Sequence, residues 1–265
     1  MPSREILLFL ATLFVFEGAS AYGPAGHRVA GVIAESHLCP AALLAIDRFG
    51  EGDRVGDLGS WADQIRSTER WRESAPWHYM NIADHTSLDD YRTPPEGDIL
   101  WAIERFRTRL ADTALSHRDR ADALKFLIHF VVDLHQPLHV GRVEDLGGNM
   151  IDIVVSGESV DLHRYWDSAV IRDELPVSDY LRRSAALIRL MEENLADTTP
   201  RDWAVESQTL RRFVYEFDTV TGSIDSHYEA VARDVTRIRL IQAGLRLAGE
   251  LNALFCVATE ELLRP

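Results

Sequence analysis

Apolar residues recur at three- and four-residue intervals along most of the chain, the spacing that lines one face of an α-helix. Val29, Val32 and Ile33 keep that period within His27–Leu38, and Pro40–Phe49 predicts a second, shorter helix. Leu58–Trp71 reads as a third helix. Asp98–Leu115 and Arg120–Leu134 are strongly patterned, the latter stopped by Pro137, which can neither donate a backbone hydrogen bond nor fit the preceding turn. Ser178–Asn194, Pro200–Thr221 and Ile224–Leu263 return to the helical period, with a break expected in the last near Gly244 or Gly249. Trp77–Ile82 reads as extended. Between Gly141 and Ser159 the period changes: Ile151, Ile153 and Val155 alternate between Gly147-Gly148 and Gly157-Glu158. That predicts one small β-hairpin at most. No Pro/Gly/Ser-rich linker divides the chain, so the expectation is a single, mainly α-helical domain.

The first residues depart from this pattern. Arg4 supplies a charged start, Ile6 to Phe16 form an apolar run too short to span a bilayer, and Ala19-Ser20-Ala21 is an A-x-A processing site. Residues 1–21 therefore read as a secretory signal peptide and 22–265 as the functional domain, exported to periplasm or medium, with Tyr22 as its new amino terminus. No later segment is long and apolar enough to cross a membrane, and a monomer is expected.

Composition narrows the partners. The chain has 265 residues, 46% of them hydrophobic, and a formal charge of −14. Such acidity argues against gripping nucleic acid through a broad basic face, although one focused phosphate site is compatible with it. Cys39 and Cys256 are the two cysteines, so oxidation gives one bridge and the alternative is two separate buried thiols. Neither belongs to a C-x-x-C pair, which leaves thiolate zinc sites poorly supported.

The histidines carry the candidate chemistry. His129 and Asp133 lie four apart on a predicted helix and so project from one face, and His163 and Asp167 repeat the spacing. His139 follows the Pro137 break, where the chain can turn its imidazole back toward that face. One such pair is usually a structural hydrogen bond. Two pairs and His139 within a short window, with no thiolates, point to a metal held by imidazole and carboxylate. Zinc, iron or manganese would accept this set. Upstream, Trp61-Ala62-Asp63 precedes Arg66 by a helical turn and Trp77-His78-Tyr79 follows. A free amino group at Tyr22, with its own carbonyl and nearby His27, would complete a further chelate after processing.

These residues, in the order Tyr22…His27, Trp61-Ala62-Asp63, His78, His129-x-x-x-Asp133, Gln136-Pro137-Leu138-His139 and Leu162-His163-x-x-Trp166-Asp167, resemble the trinuclear-zinc single-strand nucleases: the plant class I and fungal S1/P1-type enzymes with their bacterial relatives. The resemblance implies the helical phospholipase C/nuclease fold and three zinc ions per chain. Asp63, His78, His129 and Asp133 would hold one. The Tyr22 amino and carbonyl groups, His27 and the bridging Asp133 would hold a second, and His139, His163 and Asp167 a third. It further implies metal-activated water attacking phosphorus with Asp63 orienting it, the lone zinc stabilising the leaving 3′ oxygen, and Arg66 contacting the phosphoryl oxygens. Substrates would be single-stranded DNA or RNA, cut to 5′-nucleotides, together with 3′-nucleotides.

The family usually begins with Trp, where this chain has Tyr22; backbone atoms do the ligating, so chelation should survive. Tyr79 would stack a nucleobase or pack in the core, Asn81 would bond a base edge, and Asn149 would touch phosphate or merely serve its turn. His135 is assigned to the surface or to a layer behind the ligands, and His37, His85, His117 and His227 to the surface. Trp61, Trp77 and Trp166 adjoin ligand segments and would fix them by packing.

Three alternatives use similar residues. Zinc-dependent phospholipases C space their first histidine further from the amino terminus and close the lone site with Glu, where this chain has Asp167. HD-type phosphohydrolases need a His-Asp dipeptide, absent here. A non-enzymatic zinc-binding protein would need neither an open coordination position nor Arg66.

Overall fold

The structure, a computed structural model, describes residues 22–171 and 176–256. Residues 1–21, expected to be a signal peptide, and the end of the last predicted helix, from residue 257, lie outside the described residues. Helices α1 (Pro24–Ser36) and α2 (Pro40–Gly50) open with proline in the first turn, where its missing N–H costs nothing. Helices α3 (Val55–Leu58) and α4 (Trp61–Ile65) are short and lead into a 3-10 helix, Glu69–His78. The single helix expected over Leu58–Trp71 is thus corrected to three pieces. The break falls at Gly59-Ser60, where the Gly59 carbonyl accepts a hydrogen bond from the His129 ring (2.6 Å).

Helices α5 (Ile99–Ala111) and α6 (His117–Asp133) are capped by Asp98 and Ser116, whose side chains accept from the third residue beyond each. From Ala121 to Asp133 most of α6 is buried all round, as a helix in the middle of a core must be. Around it lie α1, α5 and the long α10 (Ser226–Phe255), with α8 (Val177–Asn194) and α9 (Pro200–Val214) outside. The break expected in α10 does not occur. Gly244 is there for a different reason: a β-carbon on it would meet Ile33 at 2.6 Å and the Ala30 carbonyl at 2.7 Å, so it permits the close crossing of α10 over α1. Cys39 and Cys256 form a disulfide, which joins the cap of α2 to the end of α10 and resolves the two thiol readings.

The hairpin is present as β3 (Asp152–Val155) and β4 (Glu158–Asp161), paired in antiparallel register. A second pairing was not expected. β1 (Met80–Asn81) and β2 (Val140–Gly141) run parallel, with Met80 opposite Val140. The extended stretch predicted over Trp77–Ile82 therefore reduces to this short strand, because Trp77 and His78 close the 3-10 helix. The strand pair sets the segment after His78 beside the segment after His139. Finally α7 (Leu162–Arg164) passes into a π-helical turn, Tyr165–Ala169, above a small apolar cluster of Leu138, Ile153, Trp166 and Tyr228. No helix among the described residues is long and apolar enough to cross a membrane.

Candidate metal centre

Residues distant in sequence meet at the carboxyl end of α6. Three clusters could each hold a metal ion: His27, His129 and Asp133; Asp63, His78 and His129; and His139, His163 and Asp167. All eight side chains expected to ligate fall in one of them. Except for Asp63, which is partly open to solvent, they are buried.

Asp133 lies between the first two clusters. Its Oδ1 is 3.2 Å from His27 Nε2, while Oδ2 is 2.9 Å from His129 Nε2 and 3.3 Å from His78 Nδ1. Asp63 Oδ1 faces the same two imidazoles, 3.8 Å from His78 Nδ1 and 4.0 Å from His129 Nε2. In the third cluster Asp167 presents Oδ2 to His163 Nε2 (3.2 Å) and Oδ1 to His139 Nε2 (3.7 Å). His163 and Asp167 remain four apart in sequence but are carried across the α7-to-π transition rather than along one regular helix.

Backbone carbonyls choose the tautomers. The Nδ1–H groups of His129, His139 and His163 donate to the carbonyls of Gly59 (2.6 Å), His78 (2.7 Å) and Gly147 (2.7 Å). Each bond leaves the Nε2 lone pair aimed into its cluster, the arrangement that orients a metal-binding imidazole. Gly147 holds a positive φ of 66°, and a β-carbon there would lie 2.7 Å from the Leu138 carbonyl. The tight loop that presents its carbonyl to His163 therefore needs glycine.

Several buried atoms here make no hydrogen bond: both ring nitrogens of His27, His139 Nε2, Asp133 Oδ1 and Asp167 Oδ2. Buried polar atoms are rarely left so, since each forfeits its hydration. Their convergence on carboxylates is the donor set a divalent cation would satisfy. The electrostatics agree. Burial pushes His27 below its ordinary value and His78 down to about 4. Burial also acts against a charge on His129 and His163, yet Asp133 and Asp63 beside the first, and Asp167 beside the second, hold their protons up to about 9. Burial would raise Asp133 and Asp167, but the neighbouring imidazoles keep both below the usual carboxylate range. The clusters therefore retain positive charge, and a metal ion would displace those protons.

A match to the family model described as S1/P1 Nuclease covers residues 22–256, a span that includes every described residue. The chain belongs to the S1/P1 nuclease family. Membership makes it a phosphodiester hydrolase, which decides against the non-enzymatic alternative, and the family matched is a nuclease family rather than a phospholipase one. Endonuclease 3 of Arabidopsis thaliana is 28% identical over 94% of this chain and 94% of its own length. Nuclease P1 of Penicillium citrinum is 26% identical over 87% of this chain and 97% of its own. Nuclease S1 of Aspergillus oryzae is 28% identical over 63% of this chain and 60% of its own.

The remaining sequence candidates lie on or close in sequence to the segments that carry the ligands. Arg66 Nη1 lies 3.5 Å from Asp63 Oδ1, at the open edge of the second cluster. Tyr79 is exposed rather than packed in the core, with 42% of its surface accessible. Asn81 faces Gly141 and Gly147, and Asn149 is exposed with its amide donating to the Leu146 carbonyl (2.8 Å). Tyr22 is fully buried and its ring packs on Gly26, while the next amide, Gly23 N–H, donates to the Asp167 carbonyl (2.8 Å). The Tyr22-Gly23 segment thereby links the Asp167 segment of the third cluster to α1, which carries His27 of the first. Trp61 packs on Phe126 (5.2 Å), as do Trp77 and Trp71, and Trp166 is buried with its indole donating to Tyr228 Oη (2.9 Å).

Two further residues stand behind the ligands. His135 takes the buried of its two expected places rather than the surface, with Nδ1 bonded to the Val131 carbonyl (2.7 Å) and Nε2 facing Arg246 (3.0 Å). Its carbonyl accepts from both Tyr22 Oη (3.4 Å) and Arg239 Nε (3.0 Å). Gln136 had no expected role, yet its amide donates to Asp167 Oδ1 (2.6 Å) and its carbonyl oxygen accepts from Leu138 N–H. Its place directly before the Pro137-Leu138-His139 turn was the available signal. His37 is half-buried near Glu192 (3.6 Å), and His85, His117 and His227 are exposed as expected.

Proposed function

We propose that the chain is an exported, zinc-dependent endonuclease that cuts single-stranded DNA and RNA to 5′-nucleotides and removes 3′-phosphates from 3′-nucleotides. Residues 1–21 are read as its signal peptide. The observation that carries this reading is the convergence of the eight side chains, three of them locked by carbonyls into the ligating tautomer. The disulfide favours an oxidising compartment. The family match beginning at residue 22 supports Tyr22 as the mature terminus.

In this reading Asp63, His78, His129 and Asp133 hold one zinc, and the Tyr22 amino and carbonyl groups with His27 and Asp133 hold a second. His139, His163 and Asp167 hold the third. Bound zinc would supply water of lowered pKa and offset the negative charge on the phosphoryl oxygens and the leaving oxygen. The protein's own groups do the rest. Asp63, at the cleft edge, orients the attacking water and accepts its hydrogen bond. Arg66 beside it donates to the phosphoryl oxygens as charge builds there. Tyr79 offers an exposed ring to a base, Asn81 bonds a base edge, and Asn149 reaches phosphate. Because the ligands are buried, the reacting phosphate must enter singly. A flexible strand can do this and a duplex cannot without deformation.

Gel zymography against denatured and native DNA, with and without chelator, tests the proposal. Clearing of denatured DNA that disappears with chelator and returns with zinc is expected, with 5′-phosphate ends on the products. Equal clearing in chelator would exclude zinc dependence. Adding one residue before Tyr22 should abolish activity, since the amino group would leave its chelate.

A further inference from the structure

A second polar pocket opens where β1 and β2 end. Arg211 on α9 is 4% exposed and donates through Nη1 to the carbonyls of Ile82 (2.7 Å) and Gly141 (2.7 Å). Arg142, the residue after β2, stacks its guanidinium 3.6 Å from the centroid of the Tyr215 ring and sets Nε 2.7 Å from Asp84. Its two terminal nitrogens donate no hydrogen bond to any described residue. Arg212 is exposed over Phe213 (4.6 Å) and forms no ion pair with a described residue. All three line a cavity of about 450 Å³, together with Asp84 and neutral groups such as Thr86 and Gln208.

The charge in this cavity runs against that of the chain. Three guanidiniums face one carboxylate, Asp84, whose Oδ1 is also 3.5 Å from Arg211 Nη2, in a protein of formal charge −14. The nearby Asp145 is spent on the Gly148 amide (2.7 Å) and on Tyr215. Arg211 acts structurally, by stapling the strand pair. Arg212 has no such work, and the stack on Tyr215 pre-organises Arg142 with its fork unused, the geometry that recognises phosphate. Arg142 lies three residues beyond His139, roughly 10 Å of extended chain. The chain length therefore keeps Arg142 within that distance of a ligand of the third cluster.

We propose that this arginine pocket is a phosphate subsite, which holds a backbone phosphate of the single strand flanking the one cut at the metal centre. The inference rests on the nuclease reading above. Inorganic phosphate offers the same chemistry, so the test must separate strand from free anion.

The experiment compares kcat/KM for a single-stranded decanucleotide and a dinucleotide, over a range of salt, in the zinc-loaded wild type and in the Arg142→Gln/Arg212→Gln variant. The decanucleotide-to-dinucleotide ratio should fall about tenfold in the variant, through KM rather than kcat. The salt dependence for the decanucleotide should become shallower by about 0.7 in log–log slope for each phosphate that the variant no longer neutralises. An unchanged ratio and slope would overturn the proposal. So would relief of inorganic-phosphate inhibition with the ratio unmoved, which would mark a free-anion site. Should the double variant fail to fold, Arg212→Glu, at an exposed position, carries the same comparison. Cleavage of both substrates by wild type checks the nuclease reading independently; inertness on both would remove that reading and the subsite with it.

Discussion

Backbone carbonyls of Gly59, His78 and Gly147 decide which nitrogen each of three imidazoles turns toward its cluster. Gln136 does the same for a carboxylate, by holding Asp167 Oδ1. Replacing Gln136 with Leu should weaken zinc at the third cluster about 10- to 100-fold while sparing the other two, the usual cost of losing a group behind a ligand. Zinc titration with a competing chelator measures it, and uniform loss from all clusters would argue for general unfolding instead. The raised pKa values of His129 and His163, about 9 each, fix a sign for pH. In the metal-free protein their charge contributes stability that is complete below the unfolded value near 6.5 and is lost as pH rises through about 9. Chelated protein should therefore melt at lower temperature at pH 9 than at pH 6.5, and zinc uptake at pH 7 should release protons. A chelated protein whose melting is flat across that range would contradict these assignments. At this scale the ligands were legible because His and Asp at helical spacing have few other uses together. Their carbonyl partners were not, since every residue carries a carbonyl and only the fold selects one. His135 is a related case: its spacing excluded the cluster, but nothing local announced Arg246 and Trp203 behind it.

Among the elements, most of the long amphipathic helices were readable to within a few residues because a repeating apolar face is a local property, but the helix expected over Pro200–Thr221 is corrected to Pro200–Val214, capped at Tyr215. The segment from Leu58 to Asn81 was not, since its path is set by Asp63 and His78 reaching α6 and by a parallel pairing only two residues long. Gly244 and Gly249 looked alike in sequence and differ in space. A β-carbon at Gly244 would collide with α1, whereas at Gly249 it would meet nothing within 4 Å. Gly244→Ala should cost ~1–3 kcal/mol through overpacking, and Gly249→Ala should gain ~0.5–1 kcal/mol through helix propensity. Chemical denaturation of the zinc-loaded protein distinguishes them, and equal effects of one sign would refute the helix-crossing account.

Across the whole molecule, the disulfide closes a span of 217 residues between the α2 cap and the end of α10. Asn252 reinforces the same junction, accepting from Cys39 N–H (2.9 Å) and donating to the His37 carbonyl (2.9 Å). Replacing both cysteines with Ser should destabilise the chain by ~2–4 kcal/mol, seen as a lower denaturation midpoint. The acidity of the chain also takes on a local meaning. Asp63, Asp133 and Asp167 belong to the acidic excess, and three divalent ions would place six positive charges in one cleft of a chain with formal charge −14. Affinity for a strand would then reside at that cleft and the adjoining arginines rather than over a basic face. The most direct test of this account is the zinc content of the purified protein that begins at Tyr22, measured by elemental analysis after dialysis against metal-free buffer. The account predicts about three zinc ions per chain, one for each cluster; two or fewer would contradict it.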